Sequence, residues 1–182
     1  IKDKEDNKNK NFRDLSGGRY AVRTYSKKKV RKSDIEDVVG IAMKTPTVCN
    51  RQSIRVRVMY DQGVIARVLG VQGGIAYYDT PPVLLLITAD DNGYVDINER
   101  NQGYIDGGLF AMSVLYALEY KGLAACPLHA MFETGRDLTV RGMLDIPENE
   151  KLITFISVGH FKKESHVPKS FRYAPSDIIM YT

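Results

Sequence analysis

The chain has 182 residues, of which 43% are hydrophobic and 26% are charged, and its formal net charge is +4 at pH 7. This length fits one domain, or one domain with a tail, and the composition is ordinary for a globular protein with its own core. No apolar run approaches the ~18 residues of a membrane span, and basic residues are interleaved with acidic ones rather than clustered. The bulk properties therefore favour a protein that binds neither a membrane nor nucleic acid.

The start of the chain differs in composition from the rest. Its first ten residues, IKDKEDNKNK, are nearly all polar and lack the apolar stretch of a signal peptide. They predict a flexible N-terminal arm or linker remnant over residues 1–15, followed by one domain over residues 16–182. Because the first residue is Ile rather than Met, we expect further residues upstream.

The first predicted helix begins at Ser33. Ser33 and Glu36 have the spacing of a capping box, and apolar residues follow them at helical intervals. Pro46 helps to end this helix. The helix predicted over residues 104–120 is apolar on most of its circumference, so we expect it to be buried, with Gly122 capping its C-terminus. Two shorter helices are predicted over residues 62–69 and 136–144.

Three strands are predicted. Residues 54–60, IRVRVMY, alternate between apolar and basic, which predicts a half-buried strand with Arg55 and Arg57 on its outer face. Residues 83–89, VLLLITA, are continuously apolar and predict a strand covered on both faces. The last predicted strand covers residues 152–160. Because helices and strands follow one another without regular βαβ alternation, the sequence predicts an α+β fold.

The sequence contains none of the common catalytic motifs. It has no G-x-S-x-G elbow, no H-E-x-x-H motif, no Walker A motif and no G-x-G-x-x-G after a strand. Its two cysteines, Cys49 and Cys126, fit no zinc or CxxC spacing, so we interpret them as reduced thiols of a cytoplasmic protein. If the chain is an enzyme, its reactive group is expected to belong to a bound cofactor.

One polar loop separates the first predicted helix from the first predicted strand. In TPTVCNRQS, residues 45–53, the large polar side chains of Asn50, Arg51 and Gln52 follow one another. An ordinary solvated loop, in which Asn50 caps its own turn, is one interpretation. The other is that the amide groups face a flat, polar ligand. The residues of the loop alone leave both interpretations open.

Six stretches of the chain, taken in order, resemble the nitroreductase family of FMN-dependent oxidoreductases. They are RYAVRTYSKKKV (19–30), TPTVCNRQ (45–52), ERNQ followed three residues later by DGG (99–108), GLAACPLH (122–129), LDIPENE (144–150) and PKSFRYAPSDII (168–179). Together they extend over nearly the whole chain. The resemblance implies a central mixed, mainly antiparallel sheet surrounded by helices, in a homodimer with FMN at the subunit interface.

The resemblance also implies which residues hold FMN. The implied contacts are Arg19, Tyr20, Ala21, Arg23, Lys169 and Arg172 at the phosphate, Asn50 and Gln52 at the isoalloxazine ring, and the turn of Pro127, Leu128, His129 and Ala130 beside the flavin N5 atom. Guanidinium groups pair bidentately with phosphate, although a surface position is the usual fate of such residues. In the family a backbone N–H near N5 completes the site, so no catalytic side chain and no metal are implied.

The chain departs from the family's pattern at three places. Ala21 stands where Ser is usual, Ser53 and Ile54 stand where Pro and Trp are usual, and Tyr173 stands where a second Arg is common. These differences put the strength of the phosphate contacts and the range of substrates in doubt. The hydride chemistry needs only bound FMN and access to its N5 atom.

The resemblance implies an enzyme that takes a hydride from NADH or NADPH onto FMN. A small-molecule acceptor, such as a nitroaromatic or a quinone, would then be reduced at the same site with ping-pong kinetics. Two alternatives remain open at this point. One is a specialised flavin enzyme, such as a dehalogenase or a biosynthetic oxidase, and the other is a flavin-binding module without turnover.

Overall fold

The computed structural model describes residues 11–168 and 170–182. Its helices and strands confirm the α+β class. In chain order the elements are α1 (Phe12–Gly18), α2 (Lys32–Ala42), β1 (Ile54–Met59), α3 (Gln62–Gln72), β2 (Val83–Asp90), α4 (Gln102–Tyr120), β3 (Leu123–His129), α5 (Thr134–Leu144) and β4 (Glu150–His160). Short 3-10 turns lie between some of them.

The four strands form one antiparallel sheet in the order β1-β2-β4-β3. The central position of β2 explains why its sequence is continuously apolar, because successive side chains point to opposite faces of the sheet and both faces are covered. Leu85 and Ile87 pack with residues of α2 and α4, whereas Leu84 and Leu86 pack with residues of α3 and α5. Both faces of the sheet are therefore covered by helices, while β1 and β3 form its two edges.

The predicted start of α2 is wrong by one or two residues. The helix begins at Lys32, and Ser33 lies inside its first turn. The Asp34 carboxylate accepts hydrogen bonds from the Arg31 backbone N–H at 3.2 Å and from the Arg31 guanidinium at 2.7 and 3.1 Å. These hydrogen bonds lower the pKa of Asp34 to about 2. A carboxylate in the first turn thus replaces the predicted hydroxyl cap.

The outer face predicted for β1 is also wrong at Arg57. This side chain is half-buried. It donates to both carboxylate oxygens of Glu150, with 3.0 Å from Nη2 to Oε1, and to Thr88 Oγ1 at 3.1 Å. The Arg57 hydrogen bond lowers the pKa of Glu150. A carboxylate withdrawn from water needs such a partner, which explains why a basic residue lies over this face of the sheet.

Helix α4 is apolar on most of its circumference, as predicted, but it is not buried on every side in one chain. Its sheet-facing side includes Gly107, Phe110 and Val114, all buried. Its other side leaves Ile105 and Leu109 about half exposed, at 54% and 47%. The sheet therefore covers one side of this helix and leaves an apolar stripe uncovered.

Helix α1 overlaps the predicted N-terminal arm. Residues 1–10 lie outside the described part of the chain, and α1 begins at Phe12. The Phe12 ring packs edge-on against the Tyr116 ring at 5.2 Å, and Ser16 Oγ lies 3.2 Å from the Tyr116 hydroxyl. A domain boundary at residue 15 stays a prediction. Among residues 11–168 and 170–182, no helix combines the length and the hydropathy needed to cross a membrane.

Candidate functional site

The two N-terminal arginines lie beside the edge strand β3. Ala21 forms an isolated parallel bridge with Ala125, and the Val22 N–H donates to the Ala125 carbonyl at 2.9 Å. The chain around this bridge is therefore extended along the outside of β3. Burial raises the pKa of the Cys126 thiol, and the positive charges of Arg23 and Arg19 act on the same thiol in the opposite direction. The structure thus brings Arg19 and Arg23 together at this edge of the sheet.

Tyr25 anchors the segment that carries the arginines. Its hydroxyl donates to the Val22 carbonyl at 2.8 Å and lies 2.7 Å from Ser157 Oγ. Its ring covers Gly159 so closely that a Cβ there would meet Tyr25 Cγ at 2.5 Å. Burial raises the pKa of the Tyr25 phenol. The direction of the segment is therefore fixed by packing, while Tyr20, between the arginines, stays half exposed.

The predicted turn at residues 127–130 is largely strand. Pro127, Leu128 and His129 belong to β3, and Ala130 follows its end. The Ala125 carbonyl faces the outer edge of β3, and residues two apart in a strand face the same side, so the nitrogen of Pro127 also faces away from β4. Proline is tolerated there because no hydrogen bond to β4 is lost. Pro127 and His129 are exposed along this edge, whereas Leu128 is buried. The exposed end of β3 and the two arginines thus share one edge of the sheet.

A buried glutamine that the sequence analysis missed holds the end of β3. Gln72 is 2% exposed, donates from Nε2 to the His129 carbonyl at 3.2 Å and accepts from the Gly74 N–H at 2.7 Å. Its spacing from Ile65, Val68 and Leu69 continues the apolar face of α3. A glutamine on an apolar face is the signal that could have identified it, since a buried amide must be paired.

The polar loop after α2 has an unusual backbone. Cys49, Asn50 and Gln52 have φ values of 47°, 55° and 51°, in the left-handed region that residues other than glycine rarely adopt. Such conformations persist only where the surroundings hold them. Within the described residues, the Asn50 carboxamide makes no hydrogen bond, so it does not cap its own turn. Asn50 and Gln52 are both exposed.

Two acidic residues distant in sequence hold this loop. Arg51 Nη1 lies 2.6 Å from both carboxylate oxygens of Glu99, and the hydrogen bond from Arg51 lowers the pKa of Glu99. The fully buried Asp106 carboxylate accepts from the Val48 N–H at 3.3 and 3.4 Å. Arg51 is therefore an anchor of the loop and not a solvated side chain. Asp106 braces the loop as well as α4.

A single chain keeps the two groups of residues apart. The polar loop comes directly before β1, at one edge of the sheet. The segment that carries Arg19 runs alongside β3, at the other edge. Four strand spacings separate them, about 19 Å in all. Along α4, the loop docks at Asp106, whereas the charge of Arg19 acts on Glu119, which is about 20 Å further along the helix axis.

Of the two C-terminal basic residues implied at the phosphate, the structure describes Arg172. Lys169 lies outside the described residues. Arg172 is exposed, and the recorded hydrogen bond of its guanidinium goes to the Phe171 carbonyl at 3.0 Å. Their predicted contact with the phosphate stays a prediction.

Comparisons with known proteins agree with this fold. A model of the nitroreductase family matches residues 17–73 and 76–160, and the chain therefore belongs to the nitroreductase family. Among solved structures, the chain is similar to a nitroreductase family protein from Clostridium difficile 630, with a TM-score of 0.77 and 25% sequence identity over 94% of this chain and 98% of that one.

Two curated proteins are also similar to the chain. Iodotyrosine deiodinase 1 of Sus scrofa is 36% identical over 109 residues, which make up 58% of this chain and 36% of that protein. The FMN reductase (NAD(P)H) of Bacillus subtilis strain 168 is 22% identical over 155 residues, 77% of this chain and 61% of that protein. The chain thus spans less than two thirds of either relative.

The Arg51–Glu99 ion pair leads to a test of how the loop is held. Replacing Glu99→Gln removes the charge that engages Arg51, so we expect faster hydrogen exchange at the backbone amides of residues 48–52. Asp137→Asn, which breaks the Arg141 ion pair within α5, should leave the loop unchanged. Because the folded-state pKa of Glu99 is depressed, the protection should be complete above the ordinary value of 4.5 and disappear as the pH falls through the lowered value. Unchanged exchange in the Glu99 variant would show that the ion pair does not hold the loop.

Proposed function

We propose that this chain is an FMN-dependent oxidoreductase whose site forms between two copies of the chain. The observation that carries the proposal is the pair Arg19 and Arg23, which lie on either side of the Ala21 bridge along the edge strand β3. Membership of the nitroreductase family supports a flavin oxidoreductase, and the FMN reductase among the relatives supports FMN in particular.

The chemistry of the two arginines fits the phosphate of FMN. A phosphate partly withdrawn from water needs fixed positive charge, and guanidinium groups offer paired donors. Arg19 and Arg23 are half-buried, and Tyr25 holds their backbone in place. Ala21 offers no hydroxyl of its own, so the arginines and neighbouring backbone amides would carry this contact.

The flavin ring would lie along the outer edge of β3, towards His129 and Ala130. Bound FMN would supply the atom that accepts and donates a hydride, and Gln72 would keep this end of the strand in position. The exposed amides of Asn50 and Gln52 suit the polar edge of the ring. Both side chains are exposed; among the described residues the Asn50 carboxamide makes no hydrogen bond, and Gln52 Nε2 makes only a long one, to the Asn50 carbonyl at 3.5 Å.

A second copy of the chain would bring the loop to the arginines. The uncovered stripe of α4 includes Ile105 and Leu109, and near Tyr116 it meets an apolar cavity of about 460 Å³ between α1, α2 and α4. Large apolar patches of this kind mark protein interfaces. A two-fold axis that packs two α4 helices antiparallel places the Asp106 end of one beside the Glu119 end of the other.

The resemblance to the family supports a reductant and an acceptor of the following kinds. NADH or NADPH would donate the hydride, and a nitroaromatic or a quinone would accept it in a second half-reaction at the same site. The 36% identity to iodotyrosine deiodinase 1 supports a second candidate, reductive dehalogenation of a halogenated phenol. A flavin-binding module without turnover is the outcome if neither reaction occurs.

The activity is tested by the colour of the protein. Purified with FMN, it should be yellow, and NADH or NADPH should bleach it without oxygen. A quinone should then restore the colour. If neither nicotinamide bleaches the protein, the reductase proposal fails, and a halogenated phenol added after chemical reduction separates the dehalogenase from the module.

The phosphate contact is tested by flavin titration. Charge-assisted hydrogen bonds contribute roughly 1.5–3 kcal/mol, so Arg19→Ala and Arg23→Ala should each weaken FMN binding by about ten- to 150-fold. Riboflavin, which lacks the phosphate, should bind weakly and respond little. Fluorescence quenching measures both affinities.

The matched control for these substitutions is Arg67→Ala, on the exposed side of α3. Arg57 is unsuitable because it pairs with Glu150, and Arg55 because it donates to the Gln52 carbonyl at 3.2 Å. The assigned phosphate site would be refuted if the Arg19 and Arg23 variants bound FMN with native affinity. It would also be refuted if the Arg67 variant lost as much FMN affinity as they do.

The interface is tested by placing a charge on the uncovered stripe of α4. Leu109→Glu should convert the dimer to a monomer, because a carboxylate buried between two copies would lose its water. It should also reduce FMN binding although it lies outside the flavin contacts. Leu138→Glu, on the exposed side of α5, is the control. Light scattering and flavin absorbance report both effects, and a native protein that is monomeric with FMN bound would contradict the proposal.

A further inference from the structure

A basic cavity lies apart from the candidate flavin site. Its volume is about 460 Å³, within the range of about 300–1,000 Å³ typical of small-ligand sites. It opens where the segment between Tyr25 and α2 meets the ends of α4 and β4. The charged and polar side chains that line it are Lys28, Lys29, Arg31, Lys121, Asp34 and His160.

Two of the four cations in this cavity lack an acidic partner within residues 11–168 and 170–182. Arg31 is paired with Asp34 at 2.7 Å, and Lys121 with Asp37 at 3.0 Å. Lys28 and Lys29 form no ion pair with any residue in the described ranges. Adjacent like charges repel one another, so this pair of ammonium groups creates a positive potential that the described chain leaves unbalanced.

An unpaired imidazole nitrogen lies at the same cavity. His160 Nε2 is buried and makes no hydrogen bond within residues 11–168 and 170–182. The backbone of His160 is fixed, because its carbonyl accepts from the Ser26 N–H at 2.9 Å. Lysine and arginine side chains only donate hydrogen bonds, and the Asp34 carboxylate is already engaged by Arg31. Among the described residues, an imidazole N–H at this position therefore has no acceptor of its own.

We propose that this cavity binds a small phosphate-bearing anion, as a site separate from the candidate flavin site. One phosphate group offers several acceptor oxygens and close to two negative charges, which match the ammonium groups of Lys28 and Lys29 and an imidazole N–H together. The first turn of α2 adds positive potential at the rim, partly offset by Asp34. Arg19 and Arg23 do not line this cavity.

The test is isothermal titration of diphosphate into the FMN-saturated protein at fixed ionic strength. We expect one saturable site per chain, with the flavin absorbance unchanged. The double variant Lys28→Gln/Lys29→Gln should bind diphosphate about tenfold more weakly, or worse. The matched control Lys162→Gln/Lys163→Gln removes two exposed charges that do not line the cavity, and its affinity should change less than twofold.

The imidazole is tested by two substitutions of His160. His160→Phe keeps a ring but removes the donor and should weaken binding, whereas His160→Gln restores an N–H and should recover part of the affinity. If His160→Phe fails to fold, the lysine variants still decide. Absence of saturable binding, equal losses in the two double lysine variants, or release of FMN by diphosphate would each overturn the proposal. A chain that binds no FMN is titrated as purified, with the same expectation, so the two proposals fail separately.

Discussion

Helix α4 packs against the sheet with one side only, and the arrangement of the candidate site depends on that constraint. The sheet-facing side needs a glycine at position 107, because a Cβ on Gly107 would meet Ile153 Cγ1 at 2.8 Å. The opposite side is apolar too, although the described chain leaves it uncovered. Near one end of this helix the polar loop docks on Asp106, and near the other end lies Arg19. The length of the helix therefore sets the separation that a second copy has to bridge.

Long-range contacts, rather than local preference, determine the shape of the polar loop. Neither Cys49 nor Gln52 favours a left-handed backbone, yet both adopt it. Glu99 and Asp106, about fifty residues further along the chain, hold the neighbouring Arg51 and Val48, while the Gln52 N–H donates to Thr47 Oγ1 at 3.1 Å. Backbone strain of this kind is often found at functional sites, where the fold supplies the compensating contacts. These contacts hold the loop before any ligand arrives, and such preorganisation lowers the entropic cost of binding one.

The sequence predicted the elements well and their partners poorly. The apolar run of β2 and the helical spacing of α4 are strong local signals, and both elements are where they were expected. The start of α2, the partner of Arg57 and the strand geometry of Pro127 depend on residues distant in sequence, so local patterns missed them. The resemblance to the nitroreductase family assigned the candidate residues to one flavin site. The distance between Asn50 and Arg19 in one chain could not be read from motifs, because it depends on strand order.

The central claim, that one site takes its arginines from one copy and its amides from the other, is tested most directly by mixing two defective chains. One carries Arg19→Ala and Arg23→Ala, and the other carries Asn50→Ala and Gln52→Ala. Each alone should bind FMN weakly. After the subunits are exchanged at random, half of the dimers are mixed and each contains one intact site, so about one quarter of all sites should bind FMN with native affinity. If mixing restores no binding although the mixed dimers form, the residues act within one chain and the account is contradicted.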